Sequence, residues 1–336
     1  MWLLVWYVVL AAASTAVVWK GSAVLERSAE RLAGYYGIPA VVQGAVIVAI
    51  GSSFPELSSV VLAALVHGDF ELGVAAIVGS AIFNILVIPG ASALAGRGQL
   101  QSNRDLVFKE AQFYMISVAV LLLTFSFAVI YHPTGGDRLV GELTRPLALL
   151  PIALYGLYVF IQIQDARDLR EERETAGVSA PRLWGLLAVG LLVILVGVEG
   201  LVRAAIGFGE AFDTPSFFWG LTVVAAGTSI PDAFVSVRSA RKGGDVTSLA
   251  NALGSNVFDL LVAIPVGVLL AGATAIDFEL AAPMMGVLTL ATVLLFGVMR
   301  TDLELTDTEA YALLATYAVF VGWMLLESVG VTGLVL

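Results

Sequence analysis

The chain has 336 residues, of which 59% are hydrophobic and only 13% are charged, and its mean hydropathy is +0.94. A soluble domain carries about 25% charged residues, so this composition excludes a soluble fold and indicates an integral membrane protein. The net charge is −10, and the chain has no cysteine, which excludes disulfides and thiolate metal sites.

Ten segments are long and apolar enough to cross a bilayer, which takes about 20 residues. In chain order they are 2–19, 39–66, 71–95, 107–131, 146–164, 183–203, 214–237, 246–271, 279–299 and 309–328. No basic residue precedes the first segment, so we interpret it as a retained span rather than a cleaved signal peptide. The polar connection 165–182 is too short to be a domain, and it separates five spans from five.

Lysine and arginine are distributed unequally over the connections between these spans. Connections after odd-numbered spans hold 14 of the 17 basic residues, and the opposite face holds only Arg138, Arg145 and Arg203. Basic connections stay in the cytoplasm. We therefore expect both termini outside the cell and the connection 165–182 inside it.

One pattern occurs twice in the chain. PAVVQGAVIVAIGSSFPE at 39–56 aligns with PSFFWGLTVVAAGTSIPD at 215–232, and IVGSAIFNILV at 77–87 aligns with ALGSNVFDLLV at 252–262. The matches fall on glycine, serine, proline and acidic positions, and not only on the apolar residues that all spans share. Because each half has an odd number of spans, the second half must enter the membrane inverted, as in secondary transporters.

The predicted fold is therefore an all-α polytopic membrane protein with ten transmembrane helices in two inverted five-helix repeats. We expect an N-terminal repeat at 1–164 with its motif at 44–90, a cytoplasmic linker at 165–182, and a C-terminal repeat at 183–336 with its motif at 220–266.

Each copy of the motif places helix-breaking residues inside a span. Proline removes a backbone donor and glycine adds flexibility, which predicts carbonyls near Ala49 and Ala225 that are freed from helical hydrogen bonds. In lipid such groups must find another partner, and a bound cation can be that partner. Hydroxyl, carbonyl, amide and carboxylate oxygens are hard ligands that suit Ca²⁺ and Na⁺.

Three acids lie within the repeated spans, namely Glu56, Asp232 and Asp259, and Asn84 occupies the position of a fourth. A charged side chain at the centre of a membrane helix costs about 2.5 kcal/mol or more, so such an acid is a candidate for function. Three negative charges balance one Ca²⁺ with one monovalent cation, or three monovalent cations. A site that holds either load in turn indicates antiport.

The same residues also have structural interpretations. The hydroxyls can bond to the preceding helical turn, the Gly-Ser pairs can serve close helix packing, and an intramembrane acid can be structural. Glu199, His67 and His132 are assigned no role in transport, because they are predicted near the outer ends of spans or in outer loops.

The duplicated G-[ST]-S-x-P-[ED] and G-S-x-x-F-[ND] patterns resemble the repeats of the Na⁺/Ca²⁺ exchanger, or cation/Ca²⁺ antiporter, superfamily over nearly the whole chain. The resemblance implies a prokaryotic exchanger in which the second, third, seventh and eighth helices enclose the ion sites. The implied Ca²⁺ ligands are Glu56, Asp232, Ala49, Ala225, Ser52 and Thr228, and the implied Na⁺ or K⁺ ligands are Ser53, Ser229, Ser80, Ser255, Asn84 and Asp259.

Finer features place the chain within the superfamily. AAGTSIPD, the ARKG at 240–243 and VGSAIFN are similar to the potassium-dependent branch, where an acid at the position of Asp259 is tied to K⁺ cotransport. Two residues depart from the family pattern. Asp232 stands where many prokaryotic relatives have Glu, which shortens its reach, and Ser52 replaces the commoner Thr.

The resemblance implies a secondary active antiporter, not an enzyme, that moves Na⁺ inward and Ca²⁺ outward by alternating access, with K⁺ cotransport left open. The first and sixth spans are expected to slide as a pair and switch the access. The expected setting is a prokaryotic plasma membrane, with Ca²⁺, Na⁺ and lipid as partners, no nucleic acid, no resident cofactor and a monomeric state.

The main alternative is an exchanger of Ca²⁺, or another divalent cation, for H⁺. Asn84 and the paired serines favour Na⁺, because proton-coupled relatives tend to carry acids at those positions. An intramembrane aspartyl protease is a second alternative, but the GGD triplets at 135–137 and 243–245 lie in loops. A passive channel is a third, against which the acid-bearing broken helices argue.

Overall fold

The computed structural model describes residues 2–36, 49–96, 99–104, 106–136, 138–166, 179–328 and 331–333. The helices, in chain order, are α1 Trp2–Tyr35, α2 Ala49–Ser52, α3 Phe54–Val66, α4 Phe70–Ala95, α5 Ala111–Tyr131, α6 Arg145–Ala166, α7 Ala180–Phe212, α8 Ser216–Trp219, α9 Ala225–Arg241, α10 Asp245–Phe258, α11 Ile264–Ala271, α12 Phe278–Asp302 and α13 Asp307–Ser328. Three π-helical turns join them, at Leu106–Glu110, Gly220–Val224 and Asp259–Ala263.

Nine helical segments among the described residues are long and apolar enough to span a membrane, and they coincide with nine of the ten predicted spans. The remaining span, 39–66, is described from Ala49 onward as α2 and α3. Its first part, with Pro39 and Gly44, lies outside the described residues, as does most of the linker 165–182.

Two helices are much longer than their predicted spans. α1 has 34 residues and α7 has 33, whereas composition indicated 2–19 and 183–203. Apolar composition measures only the length that lipid requires, and a helix continues while its backbone bonds and its packing persist. Both helices continue because they pack against each other through small residues beyond their apolar segments.

Glycines allow the close packing of α1 on α7. A Cβ on Gly21 would lie 2.8 Å from Ile194 Cγ1, and a Cβ on Gly197 would lie 2.9 Å from the backbone nitrogen of Val18. Small residues that let backbones approach are the usual basis of helix association in membranes. The two helices therefore form one closely packed pair, which we call the α1–α7 pair.

Two short antiparallel sheets join the halves of the molecule at their connections. β1 Gln99–Gln101 pairs with β4 Glu304–Thr306, and β2 Val140–Leu143 pairs with β3 Thr274–Asp277. β1 and β3 each follow the third span of their half, whereas β2 and β4 each follow the fourth. Each sheet therefore pairs the connection after the third span of one half with the connection after the fourth span of the other half. This is the arrangement that two inverted repeats produce.

α4 forms the centre of the molecule, since nearly all of its residues are buried. Its N-terminus is capped by Asp69, whose carboxylate accepts a hydrogen bond from the Leu72 N–H at 3.0 Å. Where it crosses the second repeat, a Cβ on Gly79 would lie 2.8 Å from the Leu221 carbonyl carbon and from the Ala225 Cβ. This glycine therefore lets the two motifs meet at backbone distance.

Candidate ion-binding site

The helix break of the first repeat lies between α2 and α3. α2 ends at Ser52, Ser53 has φ −88° and ψ 7°, and α3 restarts at Phe54 with Pro55 in its first turn. Proline has no N–H to donate, so the carbonyl one turn back loses its helical partner. Ser52, Ser53 and Glu56, which surround this break, are all buried.

The second repeat accommodates its proline differently. A π-helical turn at Gly220–Val224 comes before α9, and α9 then continues through Pro231 without a gap. The Ala225 carbonyl, which we predicted to be freed, accepts a hydrogen bond from Thr228 Oγ1 at 3.2 Å. The two halves therefore differ at this position, because α9 continues through Ser229 whereas α2 and α3 are separated at Ser53.

Hydroxyl groups from the two repeats contact each other in a nearly symmetric arrangement. Ser80 Oγ lies 2.6 Å from Ser229 Oγ. In the equivalent place of the other half, Ser53 Oγ donates to the Ser255 carbonyl at 3.4 Å, and Ser52 Oγ lies 3.0 Å from Ser255 Oγ. These contacts join residues about 150 to 200 positions apart in the chain. The structure thus brings the predicted hydroxyls of both motifs into one buried cluster.

The three predicted acids lie in the same cluster and are at most 3% exposed. Glu56 Oε1 accepts a hydrogen bond from Ser80 at 3.4 Å, and the Thr228 hydroxyl lies beside the same carboxylate. Within the described part of the chain, Glu56 Oε2 has no hydrogen-bond partner, and the Ser53 hydroxyl lies beside the Asp259 carboxylate. Nor does any described basic side chain form a salt bridge with Glu56, Asp232 or Asp259.

The three acids are neighbours within the cluster. Glu56 is close enough to interact electrostatically with both Asp232 and Asp259. No group of three acidic or histidine side chains in the described ranges is arranged to hold one metal ion. A cation at any of these carboxylates would complete its coordination with hydroxyl and carbonyl oxygens, which are hard ligands like the carboxylate itself.

Asn84 lies on α4 and is 1% exposed. Its Nδ2 donates to Asn256 Oδ1 at 3.0 Å, and its own Oδ1 has no hydrogen-bond partner among the residues described. Ala49 and Ala225, whose carbonyls the sequence singled out, are the first residues of α2 and α9. All twelve predicted site residues thus belong to the two motifs that cross at α4 and α9.

The sequence model of the sodium/calcium exchanger protein family matches residues 6–164 and 182–326 of this chain. The chain belongs to this family. Membership confirms the predicted superfamily and its inverted ten-helix fold, and it places this exchanger-family protein among transporters and not among a class of enzymes.

Individual relatives agree with this assignment. The chain is 26% identical over 275 residues to the sodium/calcium exchanger MaX1 of Methanosarcina acetivorans, covering 72% of this chain and 77% of that one. Its structure is similar to that of the sodium-calcium exchanger NCX_Mj, with a TM-score of 0.63, 23% identity and coverage of 95% and 99%. It is also similar to an H⁺/Ca²⁺ exchanger, CAX, with a TM-score of 0.68, 12% identity and coverage of 97% and 87%.

A shorter segment is similar to the potassium-dependent branch. Over 53 residues the chain is 53% identical to the human sodium/potassium/calcium exchanger 5, a match that covers 16% of this chain and 11% of that protein. The partial similarity to this branch, which the motifs predicted, is therefore confirmed, and it is confined to a short stretch.

The structure places two further polar residues of this exchanger-family protein at the site. Glu26 lies on α1, with its Cγ 4.0 Å from the position of a Cβ on Gly51, and it interacts electrostatically with Asp232. The Tyr155 hydroxyl lies near Asp259 and has no hydrogen-bond partner within the described residues. Sequence reasoning missed Glu26 because LERSAER resembles a polar connection. Small residues at helical spacing beyond Trp19, such as Gly21, Ser28 and Ala29, were the available signal.

Glu199 and His67, which were assigned no role in transport, join α7 to the C-terminal end of α3. His67 follows α3, and its Nε2 lies 3.1 Å from Glu199 Oε2 on α7. Arg203 Nε lies 2.6 Å from the other oxygen of the same carboxylate. The sequence predicted that Glu199 lies near the outer end of its span. It lies well inside its helix instead, because α7 continues to Phe212. Glu199 thus accepts a hydrogen bond from Arg203 on its own helix and contacts His67 of the neighbouring segment.

Proposed function

We propose that this protein is a secondary active antiporter that exchanges Na⁺ for Ca²⁺ by alternating access. Under this proposal Na⁺ moves inward and Ca²⁺ outward, with both termini outside and the linker 165–182 in the cytoplasm. The observation that carries the proposal is the cluster of three buried carboxylates without a basic counter-charge among the described residues.

A buried carboxylate is strongly unfavourable unless an opposite charge compensates it. No described lysine, arginine or histidine does so for Glu56, Asp232 or Asp259. Transported cations therefore supply the compensating charge, and the cluster is more stable when it is loaded. Ca²⁺ is expected at Glu56 and Asp232 with the Ala49 and Ala225 carbonyls and the Ser52 and Thr228 hydroxyls. Na⁺ is expected at the sites built from Ser53, Ser229, Ser80, Ser255, Asn84 and Asp259.

The position of the cluster supports alternating access. Its hydroxyl contacts, Ser52 with Ser255 and Ser80 with Ser229, cross between the inverted repeats. A site at such an interface is exposed to one side when one repeat opens and to the other side when its inverted partner opens. The α1–α7 pair, which packs against the motif at Gly227 through Leu201, is the element proposed to move.

Sodium is favoured over protons by the neutral donors. Asn84 and the four serines keep their oxygens available at any pH, whereas a proton-coupled site relies on groups that titrate. The competing candidate remains exchange of Ca²⁺ for H⁺. It is supported by the same uncompensated carboxylates, since protons can neutralise them as well as Na⁺ can.

Reconstituted protein distinguishes these candidates. Purified protein in liposomes that enclose a Ca²⁺ indicator is exposed to Na⁺, K⁺ or H⁺ gradients imposed one at a time, with the pH gradient collapsed by an ionophore in the Na⁺ arm. We expect Ca²⁺ flux to follow the Na⁺ gradient. Flux that follows only the pH gradient contradicts the proposal, and an additional K⁺ requirement in the Na⁺ arm identifies cotransport.

Matched variants connect the flux to the site. Glu56→Gln and Asp232→Asn should abolish Ca²⁺ flux while removing only a charge. Glu142→Gln and Asp213→Asn make the same changes at exposed positions. Asp213 has φ +54°, which asparagine also tolerates. If the control variants lost as much Ca²⁺ flux as the buried variants, the flux would not depend on the buried cluster.

A further inference from the structure

Asn256 is a fully buried amide that the proposed ion ligands do not include, although it lies directly after Ser255 on α10. Its Oδ1 accepts from Asn84 Nδ2 at 3.0 Å, and its Nδ2 donates to the Ala81 carbonyl at 3.1 Å and to the Tyr114 hydroxyl at 3.2 Å. Three of the four polar side-chain atoms of Asn84 and Asn256 therefore have hydrogen-bond partners, and only Asn84 Oδ1 has none among the described residues.

These contacts fix the direction of both amides. The Ala81 carbonyl can only accept, so the atom of Asn256 that meets it must be the NH₂ group. Asn256 Oδ1 then faces Asn84 and can only accept, so Asn84 must present its own NH₂ group there. The Asn84 oxygen is thereby turned away from Asn256, as a cation ligand requires.

The chain of hydrogen bonds continues beyond Asn256. The Tyr114 hydroxyl, which accepts from Asn256, also bonds to the Thr292 hydroxyl. Thr292 Oγ1 already donates to the Leu288 carbonyl at 2.7 Å, so Tyr114 is the donor toward Thr292. Each N–H or O–H along this path has one acceptor, and the path ends at the Leu288 carbonyl of α12. A network in which the hydrogen-bonding groups have partners favours one arrangement of its side chains over the others.

We propose that Asn256 is a positioning residue, which orients the Asn84 amide so that the site presents its oxygen, not its NH₂ group, to a monovalent cation. This inference rests on the proposed cation site at Asn84. Without Asn256, the Asn84 amide can rotate by half a turn and place two N–H donors where the cation binds. Whether the Asn84 amide presents its oxygen or its NH₂ group to the cation therefore depends on Asn256.

The asymmetry of the repeats supports the same inference. In the other half, Asp259 replaces Asn84, and the position equivalent to Asn256 is Ala81, which has no polar side chain. Both oxygens of a carboxylate accept, so Asp259 needs no partner to set its direction. The Asn84 amide is thus paired with a second amide that sets its direction. The Asp259 carboxylate, which needs no such partner, is paired with an alanine.

A double-mutant cycle on the full chain tests this dependence. The variants are Asn256→Ala, Asn84→Asp and the double substitution, and the probe is NaCl titrated against choline chloride, read as the thermal midpoint of the purified protein in detergent. Asn256→Ala alone should weaken the apparent affinity for Na⁺ roughly tenfold, as expected when one buried hydrogen-bonded ligand is lost. In the Asn84→Asp background the same substitution should change it less than about twofold.

The outcomes separate this inference from a structural role and from the proposed function. An equal loss of Na⁺ affinity in both backgrounds overturns the positioning role, because a general packing defect acts regardless of residue 84.

Tyr114→Phe is the second variant. It leaves the Ala81 anchor in place and should cost less than Asn256→Ala. Wild-type protein that binds Na⁺ but does not exchange it for Ca²⁺ in liposomes contradicts the proposed function alone. Wild-type protein that does not bind Na⁺ overturns the inference.

Discussion

The buried acids decide the behaviour of the site at the scale of single residues. Glu56 is 1% exposed, and one of its oxygens has no described hydrogen-bond partner. A charge held in this way destabilises the ion-free protein and is relieved by a bound cation. Stability and ion binding are therefore coupled through the same atoms.

Glu56→Gln is expected to separate these two effects. In choline buffer at pH 8 the variant should be more stable than the parent protein by about 1 kcal/mol or more, because a buried charge is removed. CaCl₂, which should raise the thermal midpoint of the parent protein, should no longer raise that of the variant. Glu142→Gln is the control. A variant that is destabilised in choline, or that keeps the Ca²⁺ response, contradicts the prediction.

The glycines of the G-S-x-x-F motif differ between the repeats. A Cβ on Gly79 would lie 2.8 Å from the Leu221 backbone, whereas nothing lies within 4 Å of the equivalent position on Gly254. Gly79→Ala should therefore destabilise the protein by roughly 1–3 kcal/mol through overpacking. Gly254→Ala should be neutral or stabilising by up to about 1 kcal/mol, since alanine favours a helix. Thermal midpoints check the pair, and equal effects would contradict the crossing of α4 with the second motif.

The α1–α7 pair is the element on which transport should depend most. A Cβ on Gly197 would lie 2.8 Å from Val18 Cγ2, whereas Gly185 on the same helix is exposed and has nothing within 4 Å. Gly197→Val should therefore separate the helices and reduce Ca²⁺ flux in liposomes by about tenfold or more, which corresponds to an increase of roughly 1.4 kcal/mol in the barrier to transport. Gly185→Val should leave the flux unchanged. Comparable flux in the two variants would argue against a function that depends on this packing.

How far the sequence predicts these elements depends on what each pattern records. The repeat at 39–56 and 215–232 located both motifs, because glycine, proline and an acid rarely occur together inside a membrane span unless they form a site. Apolar length located nine described spans but not the true ends of α1 and α7, since packing extends a helix beyond its lipid-facing part. The uninterrupted course of α9 through Pro231 was missed because proline and glycine occupy the same positions in both motifs.

The contacts of the site itself were only partly predictable. Ser80 and Ser229 were singled out separately by the motifs, but their 2.6 Å contact depends on the crossing of α4 with α9. Asn256 has no polar counterpart in the first repeat, so a search for matched positions passes over it. Glu26 was hidden in a segment whose polarity resembles a loop. Symmetry therefore identifies a duplicated site well, and it conceals the residues that make the two halves different.

The inverted repeats make a prediction about the whole molecule, which concerns its orientation. The β1–β4 sheet follows spans that should end in the cytoplasm, and the β2–β3 sheet follows spans that should end outside. Gln101 and Glu142 are exposed strand residues, one on each sheet. Because the chain has no cysteine, each can be replaced singly by cysteine without any background thiol.

A membrane-impermeant maleimide added to intact cells should label Glu142→Cys and spare Gln101→Cys. After the membrane is permeabilised, both variants should be labelled to the same extent, which controls for reactivity and folding. The distribution of 14 basic residues on one face against 3 on the other supports this orientation. Labelling of Gln101→Cys alone in intact cells would reverse the orientation and, with it, the proposed direction of exchange. Equal labelling of both variants before permeabilisation would contradict the placement of the two sheets on opposite sides of the membrane.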